Sequence, residues 1–159
     1  LIEAINPQYN FAAHLSYYPP CVAIPDNLSF TTAPIHILIG EIDDWTPSLA
    51  CEEFIWELNE KGYNAGITVF ENSHHSFDSK LDLIEVDSGY SLMDCSFKIR
   101  NDGAVIMNFM GIPMTTPFLQ KIGLFTCAER GTTIAGNPEA RNLAHEFSKS
   151  FMTKYLIDN

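Results

Sequence analysis

PIHILIGEIDDWTPSLACEEFIWELNEKGYNAGITVFENSHHSFD, residues 34–78, alternates short apolar runs with polar loops, and its reading decides the fold. Ile35-His36-Ile37-Leu38-Ile39 is brief, rich in β-branched residues and closed by Gly40, which predicts a buried strand rather than a helix. Two carboxylates, Asp43 and Asp44, follow it. Thr46-Pro47 then opens a helix, with Thr46 as N-cap and Pro47 at the first helical position, where its missing N–H costs nothing. Cys51, Phe54, Ile55 and Leu58 recur on one helical face, and Gly62 is placed to end the helix. A second apolar run, Ile67-Thr68-Val69-Phe70, leads into a polar loop with His74 and His75. The order is strand, acid, helix, strand, histidine.

In an open α/β sheet, reactive groups gather just beyond the carboxyl ends of parallel strands. An acid after one strand and an imidazole after the next are therefore placed to meet. An Asp that accepts the Nδ1–H of a His fixes its tautomer and leaves Nε2 to take a proton from a nucleophile. Read in isolation, Asp43 or Asp44 would serve equally as a helix-start cap, and His75 as an ordinary loop histidine. His74 reads as a solvated neighbour. Trp45 and Phe77 read as pocket walls or plain packing, and Glu41 and Asp44 as surface charge.

The acid loop Gly40-Glu41-Ile42-Asp43-Asp44-Trp45-Thr46-Pro47 and the histidine loop Ser73-His74-His75-Ser76-Phe77-Asp78 resemble the C-terminal half of an α/β-hydrolase, most closely the dienelactone hydrolase family. The resemblance covers most of the chain. Tyr17-Tyr18-Pro19 looks like the end of the preceding strand, and the tail from Gly136 looks like the family's last helix. It implies Asp43 as triad acid, His75 as triad base, a small ester or lactone substrate and no cofactor. It also implies a nucleophile upstream of Leu1, since no Gly-x-Ser-x-Gly elbow or Cys equivalent occurs in these 159 residues. The fold expected is α/β: three parallel strands, near 11–18, 35–39 and 67–70, with flanking helices, forming the C-terminal portion (1–159) of one domain whose N-terminal half is the missing partner. The chain alone is then expected to be inactive.

Between the first two strands, residues 21–33 read as a polar loop. Residues 79–135 read as a lid-like insertion that departs from the compact family pattern. Within it 95–100 and 104–109 flank Asn101-Asp102-Gly103, a hairpin turn, and Thr116-Pro117 begins a short helix with Gly131 beyond its end. The last helix opens at Asn137-Pro138, buries Ala140, Leu143, Ala144, Phe147 and Phe151, and runs to about Leu156.

Composition narrows the partners. A content of 46% apolar and 18% charged residues is that of a globular domain. A net charge of −11 argues against nucleic acid, whose phosphates require clustered Lys and Arg. No run approaches the ~18 apolar residues of a membrane span. The chain starts at Leu1 without a methionine, so the lack of a signal peptide decides nothing. A metal reading draws on His36, His74, His75, Asp43 and Asp44, but no His-x-x-x-His or Cys-x-x-Cys spacing supports it. The four cysteines permit three complete pairings. Cys21 with Cys51 suits two neighbouring strand ends, and Cys95 with Cys127 would close the insertion. Such bridges go with an oxidising, exported or periplasmic location, whereas four buried thiols would suit the cytosol. The function expected is ester or lactone hydrolysis; the alternative is a non-catalytic, hydrolase-like binding domain.

Overall fold

The computed structural model describes residues 11–107 and 110–157. Its centre is a three-stranded parallel sheet: β1 (His14–Tyr17), β3 (Ile35–Gly40) and β4 (Ala65–Phe70), in the order β1-β3-β4. β3 pairs on both sides, Ser16 with Ile37 and Ile37 with Ile67, so the strand that carries the acid is the middle one.

Both faces of this sheet are covered, as a parallel sheet requires. Ile37 and Ile39 point to one side and pack with Cys51, Ile55 and Leu58 of α1 (Ser48–Glu60). Leu38 points to the other and packs with Ala140 and Ala144 of α3 (Pro138–Leu156). Burying each such Leu or Ile side chain stabilises the fold by roughly 1.5–3 kcal/mol. His36 shares the Leu38 face. Its ring lies tilted against that of Phe147, 4.3 Å between centroids, and Nε2 lies 3.0 Å from Thr68 Oγ1. Leu143, expected in the buried stripe of α3, is 54% exposed; Ala140 and Ala144 carry that contact instead.

The ends of α1 refine the sequence reading. Pro47, not Thr46, is the N-cap, and no side chain caps the helix; the Thr46 hydroxyl instead donates to Asp43 Oδ2. At the other end Gly62, with φ +84°, donates to Asn59 O while Tyr63 N donates to Leu58 O. This paired closure needs a left-handed residue, which Gly supplies without strain.

Residues 79–135 hold more strand than the sequence suggested. The expected hairpin is present as β6 (Phe97–Ile99) and β7 (Val105–Ile106), antiparallel, with Gly103 N donating to Arg100 O across the turn. Phe109, the expected end of its second strand, lies outside the described residues. β2 (Ala23–Pro25), inside the stretch read as a loop, adds to β6 in parallel. Two further strands, β5 (Ile84–Ser91) and β8 (Glu129–Ile134), form an antiparallel pair with an irregularity between Val86 and Tyr90. Between the hairpin and β8 lies α2 (Pro117–Phe125), capped by Thr116, whose side chain accepts from Leu119 N. Gly131 lies beyond the end of that helix, as expected, within β8.

Disulfides join Cys21 to Cys51 and Cys95 to Cys127. The described part is thus a mixed α/β fold with a parallel sheet and three helices. Among the described residues no helix is long and apolar enough to cross a membrane.

Candidate active site

The acid loop leaves β3 and the histidine loop leaves β4, at the same end of adjacent parallel strands. The two loops touch backbone to backbone. Ile42 N donates to Ser73 O at 3.1 Å, and Gly40 allows it: a Cβ there would lie 2.1 Å from Ser73 O. The turn into the histidine loop uses Asn72 (φ +50°), whose N–H is held by Glu41 Oε2 at 2.9 Å, and the turn out of it uses Ser76 (φ +62°). Glu41, read from sequence as surface charge, clips the two loops together.

Asp43 and His75 meet there, with His75 Nδ1 2.9 Å from Asp43 Oδ2. The Asp43 side chain is fully buried (0%) and that of His75 is 18% exposed, so the imidazole is the partner that faces outward. Asp43 Oδ1 accepts from Trp45 N at 3.0 Å and Thr46 N at 2.8 Å. Those two bonds fix the carboxylate plane and turn Oδ2 toward the histidine. The Thr46 hydroxyl has one proton to give and sits among Asp43 Oδ2 (3.0 Å), Tyr18 O (3.2 Å) and His75 Nδ1 (3.3 Å). Facing an acceptor, Nδ1 of His75 carries the proton, which leaves Nε2 to accept one.

Two aromatic rings hold the imidazole. Tyr18 lies 4.3 Å from it and Trp45 5.1 Å, centroid to centroid. Tyr18 has φ +38°, a conformation that costs a bulky residue about 1–3 kcal/mol. Its N–H donates to Leu38 O and its phenol to Asp78 Oδ1 at 3.1 Å, which hold that conformation in place. Burial, then the Asp78 charge, raises the Tyr18 phenol above its ordinary pKa of 10.0, so it remains a neutral donor. Phe77, read as wall or packing, is packing: it is fully buried among Leu38, Phe70 and Ala140.

His74 and Asp44 are not the solvated groups the sequence suggested. Asp44 accepts from Thr133 N at 2.9 Å and from Thr133 Oγ1 at 2.8 Å, and His74 Nδ1 lies 2.7 Å from that same hydroxyl. No local pattern points to Thr133, which comes from a strand the sequence reading missed; Asp44 stands 89 positions before it. An apolar hollow of ≈ 230 Å³, lined by His14, Pro19, Phe30, Ile37 and Phe54 among others, runs along β1 and includes neither Asp43 nor His75. Among the described residues no group of three or more His, Cys, Asp or Glu could hold a metal ion; His36 points instead to the α3 side.

The arrangement can hold one imidazole tautomer, stabilise the imidazolium that forms when Nε2 takes a proton, and return that proton. Compared with protein-family models, with curated proteins and with solved structures, the chain matches none.

Proposed function

We propose that this chain supplies the acid–base pair of a nucleophile–histidine–aspartate triad, in a dienelactone-hydrolase-like α/β-hydrolase that cleaves ester or lactone bonds of a small carbonyl substrate. The observation that carries the reading is the 2.9 Å contact of a buried Asp43 with a half-buried His75 at the ends of neighbouring parallel strands. Its supports are the aromatic clamp on the imidazole and the bonds that orient the carboxylate.

His75 Nε2 removes the proton of the nucleophile as it attacks the carbonyl carbon, then gives that proton to the leaving alkoxide. In the second half it deprotonates a water that attacks the acyl-enzyme, and the proton returns to the expelled nucleophile. Asp43 orients the ring throughout. All four cysteines are bound in disulfides, so none of them is the nucleophile. The nucleophile, with the oxyanion donor that follows it, belongs upstream of Leu1 in this reading.

The test is turnover of a simple aryl ester by the protein with its upstream sequence, alongside labelling by serine- and cysteine-directed probes. His75→Ala is expected to abolish turnover, and Asp43→Asn to lower kcat by about 10⁴-fold. Turnover indifferent to His75→Ala would refute the triad. No turnover and no labelling would favour a hydrolase-like binding domain.

A further inference from the structure

We infer that Asp44, Thr133 and His74 form a latch that sets the His75 ring against Asp43, making strand β8 part of the reactive site. The inference rests on the triad reading and adds three positioning residues to it. Having given its proton to Asp44 Oδ2 at 2.8 Å, the Thr133 hydroxyl can only accept from His74 Nδ1, 2.7 Å away. The chain of bonds therefore runs one way, from His74 through Thr133 to Asp44. It ties three separate pieces of chain together: the histidine loop, β8 and the acid loop.

The residues after Thr133 complete the hold. Ile134 bridges His75, and Ala135 N donates to His75 O at 3.1 Å. Asn137 N donates to Phe77 O at 2.8 Å, and Asn137 Nδ2 to Ser73 Oγ at 2.9 Å. The backbone of His75 and Phe77 and the side chain of Ser73 thus lie against 134–137, and the neighbouring Thr133 is fixed to the acid loop by Asp44. A second tie holds β5, the partner strand of β8, to the acid loop, since Leu92 N, just past β5, donates to Trp45 O at 3.3 Å. The latch acts beside the Ile42–Ser73 and Glu41–Asn72 bonds that join the same two loops, and it is the tie that reaches His74, next to the His75 ring. Releasing it leaves that ring with fewer restraints, and a displacement near 1 Å at a reacting group costs about 10²-fold in rate.

The latch and the triad can be tested apart. The Nδ1 proton of a histidine bonded to a carboxylate resonates far downfield in the proton NMR spectrum, and its loss in Asp43→Asn assigns it to His75. In Thr133→Val and in Asp44→Asn that resonance is expected to broaden or vanish, with kcat for an aryl ester falling about 10²-fold and KM little changed. Thr133→Ser, which restores the hydroxyl, is expected to restore both. Should Thr133→Val fail to fold, Asp44→Asn keeps the shape of the side chain and carries the test. An unaltered resonance in a folded Asp44→Asn or Thr133→Val protein overturns the latch. A latch-sensitive resonance with turnover indifferent to His75→Ala would sink the triad reading and leave the latch standing.

Discussion

Replacing Gly40 by alanine tests the meeting of the two loops at its tightest point. The new methyl would lie 2.1 Å from Ser73 O, 2.7 Å from Ser73 C and 3.0 Å from His74 O. Ordinary contact begins at 3.4 Å, so the loops must part by about 1.3 Å. The obstructing atoms are main chain, and no side chain can swing aside to make room. A shift of that size would take the 2.9 Å Asp43–His75 bond to about 4 Å, beyond hydrogen bonding. It also breaks the Ile42–Ser73 backbone bond. Overpacking costs about 1–3 kcal/mol and the lost bond about 1 kcal/mol, so Gly40→Ala should destabilise by about 2–4 kcal/mol. Urea unfolding followed by tryptophan fluorescence reads this as a lower midpoint at unchanged slope. Aryl ester turnover should fall by about 10²-fold or more. A variant within about 0.5 kcal/mol of the parent would mean that the loops do not approach as described.

Acid should weaken the fold through His36. Burial lowers its pKa below the ordinary 6.5, so the unfolded chain takes up the proton first; stability is full above about 6.5 and is lost as pH falls through the folded-state value. Urea midpoints between about pH 7.5 and 5 should show that slope in the parent and less of it in His36→Gln, and parallel profiles would refute the assignment. Non-reducing peptide mapping should find Cys21 joined to Cys51 and Cys95 to Cys127. Closing a loop of 30 positions, the first bridge should contribute about 3–4 kcal/mol, read from Cys21→Ser/Cys51→Ser; four free thiols in natively purified protein would count against both bonds and against an oxidising compartment.

What the sequence made legible was the part governed by local signals. β3, β4 and α1 announce themselves through apolar runs, Pro47 and Gly62, and α3 through Asn137-Pro138. β5 and β8 carry weaker signals. Only about half of their residues, IEVDSGYS and ERGTTI, are covered, and the short alternation of Ile84-Glu85-Val86-Asp87 breaks at Ser88-Gly89, while β8 is largely polar. β2 is three residues long and ends in Pro25, which reads as a loop until β6 comes alongside it. Within the site, strand order predicts an acid beside a histidine, and the resemblance of the two loops to those of a hydrolase singled out Asp43 and His75. Asp44 looked idle because its partner, Thr133, belongs to an unrecognised strand, and Leu143 misled because helical spacing alone does not say how wide the covered stripe is.

The position of β3 between two neighbours has a consequence for how the site breathes. Its amides are bonded within the sheet on either side, whereas β4 is an edge of the described sheet and bonds only to β3. Local opening starts where fewest neighbours must be given up, so amide hydrogens of β3 should exchange with solvent last and those of β4 earlier. The carboxylate loop is then suspended from the slowest-exchanging strand and the imidazole loop from a faster one. Fluctuations that separate Asp43 from His75 should arise on the histidine side, and deuterium uptake should reach residues 71–77 before it reaches 37–39.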